Sequence, residues 1–198
     1  MKRFFDLVFS MGAIVLLLPV FVVVSFGVLL DGRGGILFRQ QRVGLNGRLF
    51  PILKFRTMKP DDGRQLQITV GSRDPRITHV GYWLRRYKLD ELPQLFNVLV
   101  GQMSLVGPRP EVPKYVALYS DEQRRVLTVR PGITDLASLK YFEESDLIAQ
   151  SSDPEKTYVE IIMPEKLRLN MEYINRPSLR NDVRIIFHTV LRILGITR

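Results

Sequence analysis

The sequence predicts a mainly helical α+β fold with an N-terminal membrane segment, a small β-hairpin and amphipathic helices suited to a membrane surface. Three observations predict it. No side chain between Leu7 and Leu30 is charged. An Asn46-Gly47 pair separates two strand-like runs. Helical patterns recur from Ile77 onward, each stopped by proline or glycine. A length of 198 residues suffices for one domain with a real core and an anchor.

The apolar run, continued as one helix, would be about 36 Å long, enough for a bilayer core of about 30 Å. It is too long for a signal peptide, and no small-x-small cleavage site precedes Asp31. Pro19 sits near its middle, where it removes a helical hydrogen bond and crowds the Val15 carbonyl. Each half then reaches only the bilayer midplane. Basic residues flank both sides, Lys2 and Arg3 before it and Arg33, Arg39, Arg42 and Arg48 after it, which favours keeping both ends in the cytoplasm. A re-entrant helix-break-helix and a kinked spanning helix both fit these residues.

Ile36–Val43 and Leu49–Met58 read as strands around the Asn-Gly turn, whose positions need positive φ. Lys59–Pro75 is polar and reads as a mobile loop. Helices are expected at Ile77–Tyr87, Glu91–Leu99, Val112–Val129, Pro154–Tyr173 and Asp182–Gly195. In the last, Arg184, His188 and Arg192 form a basic stripe beside a broad apolar face, as on a helix at a membrane surface or one packed on a core with a solvated edge. The chain divides into a membrane segment, 1–31, and a domain, 32–198, that carries the candidate chemistry below.

Twenty-nine Lys and Arg against 20 acids give a net charge of +9 and a pI near 10.0. The partner is therefore polyanionic: nucleic acid, anionic lipid or a phosphorylated substrate. The absence of cysteine excludes disulfides, thiolate metal sites and a cysteine nucleophile. Two histidines leave little for a triad or a histidine metal site. No P-loop or dinucleotide glycine motif is present, and no nucleic-acid-binding signature accompanies the charge.

Chemistry concentrates in Lys88-Leu89-Asp90-Glu91-Leu92-Pro93-Gln94. Pro93 is harmless only in a first helical turn, which makes Asp90 a helix cap and sets two carboxylates at the positive end of a helix dipole. Such a place binds phosphate and keeps an aspartate ionised. An ionised Asp90 facing a phosphate is a credible nucleophile, with Glu91 available to a divalent metal. The plainer reading is a cap and its neighbour. Arg85 and Arg86 lie one turn upstream, and Arg109 is fixed between two prolines, preorganised for bidentate phosphate binding. A glycosidase is disfavoured, because adjacent helical carboxylates point about 100° apart.

Phe38-Arg39-Gln40-Gln41-Arg42-Val43-Gly44, Lys54-Phe55-Arg56-Thr57-Met58, Leu89-Asp90-Glu91-Leu92-Pro93-Gln94, Ser104-Leu105-Val106-Gly107-Pro108-Arg109-Pro110 and Arg130-Pro131-Gly132-Ile133-Thr134 follow in order. In these motifs and their spacing the chain resembles bacterial sugar transferases, the monotopic phosphoglycosyl transferases, in their minimal catalytic form. The resemblance implies a re-entrant membrane helix broken at Pro19 and held in one leaflet of the bacterial inner membrane, with the active site on the cytoplasmic face. It implies that Asp90 attacks the β-phosphate of a UDP-sugar and releases UMP. Polyprenyl (undecaprenyl) phosphate then takes the phosphosugar, initiating a capsule, O-antigen or exopolysaccharide. Mg²⁺ is the implied cofactor, held by Glu91 with Asp90. Arg109, Arg85, Arg86, Arg130, Lys54, Arg56 and Asp182 are the implied phosphate or nucleotide contacts. Nucleic acid is not an expected partner, and self-association is left open.

The sequence departs from the family pattern in three places. Leu18 stands where many relatives have serine before the membrane proline, Asp135-Leu136-Ala137-Ser138 follows Thr134, and Asn170 replaces a frequent acid. A catalytically silent membrane scaffold is the rival reading, and it predicts no UMP release. The mechanism needs Asp90 to face a cavity open to lipid and cytosol, and an Asp90 side chain buried or turned away from one would end it.

Overall fold

The computed structural model describes residues 1–59, 71 and 74–196. Most of the segment expected to be a loop, 60–70 with 72 and 73, lies outside the described residues.

Helix α1, Lys2–Leu30, is one helix of 29 residues with Pro19 inside it, so the helix continues through the position where a break was expected. It lies against the rest of the protein at both ends. At the start, Lys2 bonds Asp182 and Tyr173, and Arg3 donates to the Val98 and Leu99 carbonyls. The buried Asp6 accepts from Ser104 Oγ and the Leu105 N–H. At the far end, Val24 and Val28 pack on Phe55 and Leu84. The guanidinium of Arg56 donates to the carbonyls of Val28, Gly32, Arg33 and Gly35, which would otherwise be orphaned past the helix end. Between the ends, Val15, Leu16, Val22, Val23 and Phe26 are exposed.

Strands β1 (Leu37–Val43) and β2 (Leu49–Phe55) pair antiparallel, Leu37 opposite Phe55 and Val43 opposite Leu49. Asn46 and Gly47 carry the positive φ, 55° and 76°, that the Asn-Gly pair predicts. Helices α2 (His79–Arg86) and α3 (Gln94–Leu99) follow, joined by a 3₁₀ turn at Leu89–Glu91.

The short strands β3 (Ser104–Val106) and β4 (Gly132–Thr134) form a parallel pair that no sequence pattern announced. Their approach requires glycine. A Cβ on Gly132 would come 2.1 Å from the Gly107 nitrogen. This pairing fixes the start of the Pro108-Arg109-Pro110 element.

The helix expected over Val112–Val129 is instead α4 (Pro113–Val116), followed by 3₁₀ turns at Gln123–Thr128. Ser120 and Gln123 exchange side-chain and backbone bonds, a capping box that starts a new turn and stops the old one. Two short helices, α5 (Leu136–Lys140) and α6 (Glu144–Ala149), occupy what read as a polar connection. Asp135 caps the first, and Ile148 anchors the second in the main core with Tyr115, Tyr158 and Leu167.

From Pro154 the chain is helical to Asn175, as α7 (Pro154–Thr157), a π-turn at Tyr158–Ile162 and α8 (Met163–Asn175). Pro164 cannot donate to the Glu160 carbonyl, and the widened turn absorbs that loss. The last helix, α9 (Leu179–Ile193), presents Val183, Phe187 and Val190 to the outside, with Leu194 exposed just after it.

Candidate active site

Lys88 adopts the left-handed conformation, φ 54°, and turns the chain sharply after α2. Asp90 and Glu91 follow in the 3₁₀ turn. Helix α3 begins only after Pro93, which makes no side-chain cap bond, so Asp90 is not the expected cap of a helix. Proline in this short connection delays the helix by one turn and carries the two acids off its N-terminus.

Their surroundings are opposite. Glu91 is enclosed by cations: Lys54 on β2 donates to it at 2.8 Å, and Arg109 contacts both of its oxygens, one of them at 3.2 Å. Burial alone would raise its pKa, but Arg109 and Lys54 hold it well below the usual carboxylate range. The same contact with Glu91 raises the Arg109 pKa despite burial. Burial lowers that of Lys54, with Glu91 opposing.

Asp90 is 6% exposed, and its Oδ1 has no hydrogen-bond partner among the described residues. Burial raises its pKa, Lys54 and Arg85 pull it down, and the neighbouring Glu91 charge pushes it up again. The sequence led us to expect a freely ionised carboxylate facing an open cavity. The structure has a covered one that resists ionisation. The small cavities beside Arg109, lined by Pro108, Glu111, Tyr119 and Val126, do not reach Asp90.

Arg109 is positioned by a residue that sequence reasoning noted only as a departure. Asp135, fully buried, accepts from the Arg109 N–H at 3.0 Å and from the Ser138 N–H that it caps. Behind it, Glu111 joins Arg42, the Tyr158 hydroxyl and the Val112 N–H, bracing the far side of the same element.

Of the residues singled out from sequence, Asp90, Glu91, Lys54 and Arg109 come together, and Arg85 lies within electrostatic reach of Asp90. The others do not join them. Arg86 lies over the Trp83 and Tyr87 rings. Arg130 is exposed and donates to the Gly101 carbonyl. Arg56 uses four of its five N–H donors on the α1 terminus. Asp182, 2% exposed, holds Lys2 at 2.5 Å and the Tyr173 hydroxyl at 2.6 Å. Its acidity serves to dock α1. Lys88 also lies within electrostatic reach of both acids, and sequence reasoning passed over it. Its position two residues before Asp90 was the only available signal.

The donor set can be tested against Mg²⁺. Asp90 and Glu91 offer hard oxygen ligands, one of them unpartnered. No group of three or more acidic or histidine side chains that could hold a metal occurs among the described residues. Asp90 Oδ1 is free, whereas both Glu91 oxygens already bond Arg109 or Lys54, so Glu91 would hold an ion only by giving up those partners, with water and substrate phosphate completing the shell.

A profile described as bacterial sugar transferase matches residues 1–195. An undecaprenyl-phosphate glucose phosphotransferase of Komagataeibacter xylinus is 39% identical, over 96% of this chain and 35% of its own. A UDP-glucose:undecaprenyl-phosphate glucose-1-phosphate transferase of Xanthomonas campestris pv. campestris is 37% identical, over 98% of this chain and 39% of its own. This chain thus spans well under half the length of either relative. The exopolysaccharide production protein PSS of Rhizobium leguminosarum bv. phaseoli is 37% identical, over 96% of this chain and 94% of its own.

Proposed function

The chain belongs to the bacterial sugar transferase family, and on that premise we propose that it moves a sugar-1-phosphate from a UDP-sugar to undecaprenyl phosphate. The observation that carries the reading is the unpartnered Asp90 Oδ1 beside a Glu91 whose charge is already neutralised. One carboxylate is spent on structure, and the other is left for chemistry.

In the first step an Asp90 oxygen attacks the β-phosphorus of the UDP-sugar, the bond to the bridging oxygen breaks, and UMP leaves. In the second, a phosphate oxygen of the lipid attacks the same phosphorus and returns the carboxylate to Asp90. An aspartate shielded from water is a stronger nucleophile than a solvated one. Arg109 and Lys54 stabilise charge as it builds on the transferring phosphate, held in place by Glu91 and Asp135. Asp90 does not face the open cavity that the mechanism requires, so the mechanism stands only if the side chains covering Asp90 part when substrate enters. If Mg²⁺ binds, Asp90 would hold it, joined by Glu91 where that carboxylate releases Arg109 and Lys54, and it would supply charge neutralisation to the diphosphate.

The chain sits in one leaflet in this reading. A helix of 29 residues is about 43 Å long, and the side chains of Lys2 and Asp31 at its two ends both bond to one folded body. A straight span would put those ends on opposite sides of the bilayer. The exposed apolar middle then meets lipid. Cysteines engineered at positions 2 and 34 should both be shielded from an impermeant reagent in intact cells, and labelling of either overturns the one-leaflet reading.

The activity is tested by offering the purified protein, in nanodiscs with Mg²⁺ and undecaprenyl phosphate, a panel of UDP-sugars while UMP is monitored. We expect release with one or few of them. A folded protein that releases UMP from none is a silent scaffold.

A further inference from the structure

Outside the Glu91–Arg109–Lys54 network, a second cationic cluster adjoins Asp90. The Lys88 ammonium lies 5.0 Å from the centroid of the Phe142 ring, and the Arg192 guanidinium lies 5.4 Å from the same centroid. Phe142 sits between α5 and α6, Arg192 in the last turn of α9, and Lys88 two residues before the proposed nucleophile. Three remote parts of the chain thus converge at one ring.

Neither cation has a carboxylate within ion-pair distance among the described residues. Two like charges on one ring repel each other, and a phenyl face relieves them only weakly. Other partly buried cations are matched by a carboxylate: Arg109 and Lys54 by Glu91, Arg42 by Glu111. Lys88 also keeps a positive φ, 54°, although it is not glycine, and such strain persists where the surroundings enforce it. Two cations without an ion-pair partner, Lys88 on a strained turn beside the proposed nucleophile and Arg192 on α9, make a place for an oxyanion.

We propose that Lys88 and Arg192, gathered at Phe142, form a second phosphate-binding subsite for the transfer reaction, separate from Arg109. The ring contact parks both cations without neutralising them, and a phosphate draws them off the ring. The inference rests on the transferase reading only for the identity of that phosphate, which is either the donor's diphosphate or the acceptor's monoester.

The test is a binding titration of the whole protein in nanodiscs with UMP, undecaprenyl phosphate and undecaprenol. The variants are Lys88→Asn, whose side chain tolerates the left-handed backbone, Lys88→Gly, which carries no strain there, and Arg192→Gln. We expect the affinity for one phosphate ligand to fall about tenfold in each, the loss of one charge-assisted contact, with undecaprenol binding unchanged. Loss for UMP identifies the donor, and loss for undecaprenyl phosphate identifies the acceptor. Folded variants that bind both phosphates as the wild type does, or that lose undecaprenol equally, overturn the subsite. Binding needs no turnover, so a wild type that binds phosphate without releasing UMP refutes the transferase reading and leaves this one standing.

Discussion

Two neighbouring parts of the site solve opposite problems. The wall formed by β2, Glu91 and the Pro-Arg-Pro element matches every charge it encloses: Glu91 meets Lys54 and Arg109, and Asp135 holds the Arg109 backbone. The turn at Asp90 does the reverse, covering a carboxylate and leaving one oxygen without a hydrogen bond. Satisfied polar groups stabilise a fold, and an unsatisfied buried one destabilises it. The contrast teaches that the wall is held in place by its matched charges, while the turn keeps a buried carboxylate unsatisfied, the arrangement expected where stability is given up for the proposed reactivity.

The largest expected effect comes from removing the reactive side alone. Asp90→Asn keeps the shape and deletes the proposed nucleophile, so UMP release should fall on the order of 10³-fold or more. Stability should move the other way. The folded-state pKa of Asp90 lies above its ordinary value, chiefly through burial. Such a group contributes stability below about pH 4, where both states hold the proton, and loses it as pH rises through the folded value. Above about pH 4 the Asn variant should therefore gain on the wild type in thermal melts. A variant less stable than the wild type at pH 7 would mean that Asp90 has a stabilising partner, and the contrast would collapse.

Glu91→Gln attacks the other side. It removes the carboxylate that Arg109 and Lys54 share, in a setting where Glu91 is only 12% exposed. The cost should be about 2–3 kcal/mol, read as a fall of roughly 5–10 °C in Tm. Activity should drop as well, because Arg109 and Lys54, the proposed phosphate contacts, lose their orientation. A melt unchanged from the wild type would reduce the wall to a surface ion pair.

Parts of this arrangement were legible in the sequence, and the reasons differ by residue. Asn46-Gly47 forecast its hairpin because positive φ is a local demand that few residue pairs meet. Arg109 was legible through the prolines that flank it. What escaped depended on tertiary approach. Strands β3 and β4 are three residues each, too short to alternate, and only the Gly107–Gly132 contact makes them a pair. Arg56 and Asp182 carry motif charge, yet both are used to dock α1, a role visible only once the helix is laid along the body. The Ser120–Gln123 capping box was present in the sequence and passed over in favour of one long helix.

The smallest effect belongs to a third carboxylate, which has the surroundings that sequence reasoning gave to Asp90. Asp31, just past α1, accepts from the Val80 N–H at 2.6 Å at the start of α2. Burial would raise its pKa, but bonds from Thr78, Val80 and Gly81 and the nearby His79 lower it overall. A depressed folded pKa contributes stability above the unfolded value near 4 and loses it as pH falls through the folded one. Asp31→Asn keeps an acceptor and removes only the charge, so it should cost about 0.3–1 kcal/mol at pH 7. That penalty should vanish in acid, whereas the gain of Asp90→Asn should appear only as pH rises. Melts of the two variants across pH 3–7 therefore diverge from the wild type in opposite directions. Parallel profiles would show that burial does not distinguish the two aspartates, and the assignment of Asp90 as the destabilised, reactive one would fail with it.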